Sequence, residues 1–199
     1  MKKLSINNLE LSFREVKLYQ FKNNLENIFK DYKSKTISET INSKKYKNLK
    51  SVIENENDIN MPTGEFLLKL KNNGNKNYLS FLNNYGDKVY SHFGISENEV
   101  FNKKGIYTYY LNDKIKYIGI TKDNYQKRIN NGYGNISPKN CFKDGQTTNC
   151  HLNWLISSSF NNIKFYVKIM DNVDQIMSIE KKLIQKYDPP WNIQLKNKT

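Results

Sequence analysis

GIYTYYLNDKIKYIGITKDNYQKR, residues 105–128, holds five tyrosines and ends on an arginine. Gly105-Ile106-Tyr107 is nearly mirrored by Tyr117-Ile118-Gly119. Residues 105–111 and 115–120 are β-branched and aromatic runs on either side of Asn112-Asp113, the pattern of a β-hairpin. The tyrosines then have two readings, as an aromatic core or as hydroxyls placed for chemistry.

Downstream, Thr121 or Asp123 is placed to cap a helix reaching about residue 131. A long loop follows, with Gly132, Gly134, Pro138 and Gly145. A helix is expected over 147–159. Ile163, Phe165, Val167 and Ile169 alternate as a third strand. A last helix runs over 173–187 and is stopped by Pro189-Pro190. The order β-β-α-α-β-α predicts an α+β domain over 101–199, with a small three-stranded, mostly antiparallel sheet flanked by helices.

Upstream, residues 1–100 read as a mainly α-helical N-terminal region. Phe13, Val16, Tyr19, Leu25, Ile28, Phe29 and Tyr32 recur at helical spacing, and Ser12 with Glu15 has the form of a capping box. A second helix is expected over 38–54, then a polar loop over 54–62. Two short helices follow at 66–70 and 78–82, separated by the turn Asn72-Asn73-Gly74-Asn75. His92, beside Phe93, reads as structural. This half offers no catalytic constellation.

The charge is uneven. The formal net charge is +13, with 16 basic and 12 acidic side chains in residues 1–100 but 16 and 7 in residues 101–199. A basic second half suits a polyanionic partner, most simply nucleic acid, although an excess of Lys, Asn and Ile also follows from biased composition. Only Arg14 and Arg128 are arginines among the 32 basic residues. Where lysine is so favoured, a retained arginine hints at a need for its planar donor fork. Two cysteines are too few for a disulfide framework, and Cys141, Cys150 and His151 are too few and too poorly spaced for zinc. No signal peptide or membrane-length apolar run is evident, so a reduced, cytoplasmic protein without small-molecule cofactor is expected.

Glu180 breaks a pattern. On a wheel of about 100° per residue, Val173, Ile176, Leu183, Ile184 and Tyr187 all fall within about 60° of it. A carboxylate in an apolar stripe needs a cation or a proton. A buried ion pair, an edge position reaching water and a functional carboxylate all remain open on this geometry.

Together these residues resemble the GIY-YIG nuclease family over roughly residues 101–195. Gly105-Ile106-Tyr107 and Tyr117-Ile118-Gly119 match its two signature tripeptides. Arg128, nine residues after Gly119, matches the arginine of the following helix. Glu180 matches the metal-binding glutamate and Asn192 the closing asparagine. Tyr133 stands near a further polar position one helical turn beyond the arginine, although four residues on is Gly132 and only five on is Tyr133. His151 resembles a histidine of phage-type members, and a capping or surface role suits it equally.

The resemblance implies hydrolysis of a DNA phosphodiester with one divalent cation, Mg²⁺ or Mn²⁺. It gives Tyr107 the proton of the attacking water, Tyr117 the orientation of that water or a phosphate contact, Arg128 a phosphate oxygen, Glu180 the metal, and Asn192 a supporting role. Lys116, Lys139, Lys143, Gln146 and Asn149 are expected DNA contacts, with a solvated loop the alternative for 132–146. Both tyrosines must face one side of the hairpin. An odd loop such as Leu111-Asn112-Asp113 achieves this, whereas a regular two- or four-residue loop without a bulge does not. A type II restriction enzyme is the leading expectation, with residues 1–100 supplying DNA contact, specificity or dimerisation. The alternatives are a non-cleaving nucleic-acid-binding module, and a nuclease subunit that residues 1–100 target to a repair or defence complex.

Overall fold

The computed structural model describes residues 1–53 and 55–193. Its elements are β1 (Lys2–Ile6), β2 (Leu9–Val16), β3 (Leu18–Leu25), α1 (Ile37–Ile41), α2 (Thr63–Asn72), β4 (Tyr90–Ile95), α3 (Asn98–Phe101), β5 (Gly105–Leu111), β6 (Lys114–Thr121), α4 (Tyr125–Arg128), α5 (Thr147–Ser157), β7 (Ile163–Ile169) and α6 (Val173–Tyr187). Short 3₁₀ turns lie between several of them.

The fold is α+β, but the sheet is larger than the sequence suggested. Five strands pair in the order β1-β2-β7-β5-β6, and β3 pairs with β4 in a separate two-stranded sheet. Every ladder resolved in the five-stranded sheet is antiparallel. The N-terminal region is strand-rich rather than mainly helical. Residues 2–25, expected as helix, form β1, β2 and β3.

The reason lies in a competing period. Leu4 and Ile6, then Leu11 and Phe13, alternate with polar residues and are buried, which is the period of a half-covered strand. Asn7-Asn8 separates the runs, and Asn7 takes the left-handed conformation at φ 51° that suits a two-residue hairpin turn. Ser12 and Glu15 therefore lie on a strand, and the capping box forms instead at Thr36 and Glu39, at the start of α1. The helix expected over 38–54 reduces to α1 and a 3₁₀ turn at Lys47–Val52, and its proposed end, Glu54, lies outside the described residues. Helix α2 and a 3₁₀ turn at Lys76–Phe81 stand where the two short helices were expected.

The chain divides into two compact units that alternate along the sequence. One comprises residues 1–21, 93–134 and 158–199; the other comprises 22–92 and 135–157. In the first, the five-stranded sheet buries Leu4, Ile6, Leu11, Phe13, Ile106, Tyr110, Ile118 and Tyr166 with Ile176, Leu183 and Ile184 of α6. In the second, Phe29, Tyr46, Phe66, Phe81, Tyr90 and Phe142 anchor an aromatic core around α1, α2 and α5. Among the described residues, no helix is long and apolar enough to cross a membrane.

Candidate active site

The hairpin decides how the tyrosines are presented. Its loop is the two residues Asn112 and Asp113, at φ 51° and 57°, not the three-residue loop that parity favoured. Parity is rescued by a bulge. Tyr109 faces Tyr117 and Tyr110 faces Ile115, so Lys116 is the extra residue on β6. Consequently Tyr107, opposite Gly119, and Tyr109, opposite Tyr117, lie on one face with Phe165 and Val167 of β7. Tyr110 faces the other way, into the core beneath α6.

Gly119 is dictated by this arrangement. A Cβ there would stand 2.6 Å from Tyr117 Cε1 and 2.7 Å from both Cζ and Oη of Tyr107. The glycine of the second tripeptide thus leaves room for the two tyrosine rings beside it. The ring centroids of Tyr107 and Tyr117 are 6.1 Å apart.

Arg128 arrives at the end of α4. Asn124, not Thr121 or Asp123, caps this helix, accepting from the Lys127 amide at 2.8 Å. Arg128 Nε donates to the Tyr107 hydroxyl at 3.1 Å, and the guanidinium charge pulls the Tyr117 hydroxyl down against the effect of its burial. The phenol oxygen of Tyr107 in turn holds Arg128 firmly protonated. Asn130, two residues further, accepts from the Ile95 amide at 2.9 Å and donates to the Ile95 carbonyl at 2.9 Å. This clamp fixes the Arg128 segment to β4. Sequence reading missed Asn130, since one asparagine in an asparagine-rich chain gives no signal.

The chain then makes a π-helical turn over Ile129–Tyr133, closed by the Gly134 amide donating to the Ile129 carbonyl at 2.8 Å. The wider turn brings Tyr133, five residues beyond Arg128, onto the side of that arginine. The guanidinium of Arg128 lies 5.4 Å from the centroid of the Tyr133 ring, in a cation–π contact. Tyr133 is fully buried, and its hydroxyl lies 2.9 Å from that of Tyr109.

Glu180, on α6, is half-buried between the apolar stripe and the site. Burial pushes its carboxyl up to about 7, against the pull of Arg128 and Lys122. Among the described residues it forms no ion pair, and no cluster of three His, Cys, Asp or Glu side chains forms anywhere. Burial also raises the Tyr117 hydroxyl, helped by the nearby Glu180 carboxylate and opposed by Arg128. Tyr117 therefore stays a neutral phenol. A lone, partly desolvated carboxylate is the donor set that suits a hard cation retaining most of its waters.

Asn192 closes the site from the end of the domain, bonding both atoms of its amide to the backbone of Ile118 on β6. Beside it, the Trp191 amide donates to the carbonyl of Lys116, the half-buried bulge residue, at 2.9 Å.

The remaining expected contacts belong to the other unit. Lys139 is paired with Asp144. Asn149 is buried, with its amide on Gln146. His151 is buried with its ring 4.5 Å from that of Tyr85. Lys143 and Gln146 are exposed.

The first unit thus brings a paired Arg128 and Tyr107, a neutral Tyr117, a Tyr133 platform and a lone carboxylate around one hairpin. Comparison with known families agrees: residues 103–194 match the model of the GIY-YIG catalytic domain. This part of the chain is a GIY-YIG catalytic domain. It is a nuclease domain, and the protein is accordingly a hydrolase. No curated protein and no solved structure matched the chain.

Proposed function

We propose that the GIY-YIG domain is a DNA endonuclease whose active residues are Tyr107, Tyr117, Arg128 and Glu180. The observation that carries this reading is the bond from Arg128 Nε to the Tyr107 hydroxyl, with Glu180 electrostatically coupled to Arg128 and Tyr117.

Glu180 would hold the divalent cation, Mg²⁺ or Mn²⁺, which supplies Lewis-acid stabilisation at the phosphate. The chain's own groups do the rest. The Arg128 N–H occupies a lone pair of the Tyr107 oxygen, so the guanidinium offsets the charge of the phenolate that takes the proton of the attacking water and becomes a neutral phenol. Arg128's outer nitrogens are then placed to grip a non-bridging phosphate oxygen. Tyr117, kept neutral, donates a hydrogen bond that orients the water or the phosphate. Asn192 and Tyr133 position β6 and Arg128 respectively.

Residues 1–100 serve DNA contact, specificity or dimerisation in a type II restriction activity. In the second unit, exposed Lys143 and Gln146 are the side chains best presented to DNA, and His151 serves packing. The test is cleavage of supercoiled plasmid with Mg²⁺ by the intact chain and by Glu180→Ala, followed by sequencing of the ends. A unique motif supports restriction, whereas scattered ends support a broader nuclease. Undiminished cleavage by pure Glu180→Ala rejects the metal assignment. Binding without cleavage, across several sequences and metals, rejects the enzyme reading.

A further inference from the structure

We infer that Tyr109 is a positioning residue, whose hydroxyl holds Tyr133 and thereby keeps Arg128 aimed at Tyr107. The inference deepens the proposed active site and rests on that reading for its effect on cleavage.

Tyr109 belongs to neither signature tripeptide. It is fully buried, packs its ring 4.9 Å from Phe165, and meets Tyr133 edge-on at 73°. Phenylalanine would fill the same space without a hydroxyl. A buried hydroxyl is costly unless bonded, and among the described residues Tyr109 bonds to Tyr133 alone. Burial holds both phenols far above the usual tyrosine range, so the pair stays neutral and its hydrogen bond persists at any working pH.

What this bond restrains is unusual. Tyr133 sits on the π turn, where Gly132 departs from helical geometry at φ −92° and ψ −111°. A ring at the end of such a turn gains little orientation from the backbone. Tyr109 anchors it from the sheet, which is the rigid element. Arg128, a long side chain with four torsions, rests on that ring and reaches Tyr107 through Nε. The chain of contacts therefore runs Tyr109, Tyr133, Arg128, Tyr107, and links one position of β5 to another two residues earlier through α4.

The experiment exploits the scarcity of arginine. In ¹⁵N-labelled protein only Arg14 and Arg128 give guanidinium Nε–H signals, and Arg14, exposed and paired with Glu97 and Glu99, serves as internal reference. Tyr109→Phe and Tyr133→Phe remove the same bond from opposite ends, so either variant suffices if the other folds poorly. Each is expected to speed solvent exchange of the Arg128 Nε–H about fivefold to tenfold, with Arg14 unmoved. Each should also lower kcat for plasmid cleavage with KM unchanged, and the double variant should be no slower than Tyr133→Phe alone. An unchanged Arg128 signal in a folded Tyr109→Phe protein overturns the inference, as does an additive double variant. The exchange measurement needs no cleavage, so a protein that never cuts DNA rejects the nuclease reading while leaving the Arg128 result to decide the role of Tyr109.

Discussion

Asn192 acts as a one-residue strand against Ile118: its Oδ1 accepts from the Ile118 amide at 3.0 Å, and its Nδ2 donates to the Ile118 carbonyl at 2.8 Å. Strand β6 is the edge of the five-stranded sheet, and Ile118 is the residue after Tyr117. The asparagine thus satisfies backbone groups that an edge leaves unpaired and fixes the strand that presents Tyr117. Asn192→Ala should cost about 1–3 kcal/mol in denaturant unfolding, because two buried backbone groups lose their partner. Asn192→Asp should be worse than Asn192→Gln in the same assay, since it sets a carboxylate against the Ile118 carbonyl. Equal stability of Asn192→Ala and wild type would show that water replaces the clamp without cost.

The second half of the chain was more legible than the first, for a physical reason. Around β5, β6, β7 and α6, apolar period, turn residues and proline stops all agree, so strand and helix positions followed from sequence. Residues 2–25 carry two periods at once. Leu11 and Phe13 alternate as a strand, while Phe13, Val16 and Tyr19 are spaced as a helix, and only pairing with β7 decides between them. The bulge at Lys116 was likewise beyond local reading, since it balances a two-residue turn against sheet register. The carboxylate in the apolar stripe, by contrast, was visible in the spacing of α6 alone. The count of two arginines gave only a hint of Arg128, which the structure bonds to Tyr107.

Gly119 offers a steric test of the tyrosine pair. Gly119→Ala places a methyl group at 2.6–2.7 Å from both rings, closer than side chains tolerate. Overpacking of this kind costs about 1–3 kcal/mol, and here the strain must move Tyr107 or Tyr117. Cleavage by Gly119→Ala should therefore fall more steeply than its melting temperature suggests, while DNA affinity changes little. A variant as active as wild type would show that the rings do not need this geometry.

Arg128→Lys separates charge from shape. Lysine keeps the positive charge but cannot bond Tyr107 through one nitrogen while presenting others to a phosphate. A loss of about 10²- to 10³-fold in kcat, typical for removal of one aligned donor, is expected with DNA binding retained. Gel-shift affinity alongside single-turnover cleavage makes the distinction. Near-wild-type cleavage by Arg128→Lys would reduce the role of Arg128 to that of a general cation.

Glu180 gives the pH dependence its sign. Its carboxyl stands at about 7 in the folded, metal-free protein, against 4.5 when unperturbed. Between those values the folded state holds a proton that the unfolded state has released, so metal-free stability is highest below 4.5 and falls as pH rises through about 7. Cation binding requires the ionised form and competes with that proton. Cleavage at limiting Mg²⁺ should therefore rise with pH through about 7, and saturating Mg²⁺ should move the midpoint lower. Glu180→Gln removes the titrating proton, so its metal-free stability should lose the downward slope over this interval. If metal-free wild type instead gained stability across the same interval, Glu180 would be an ionised partner within the fold, and the cation would have to be held elsewhere.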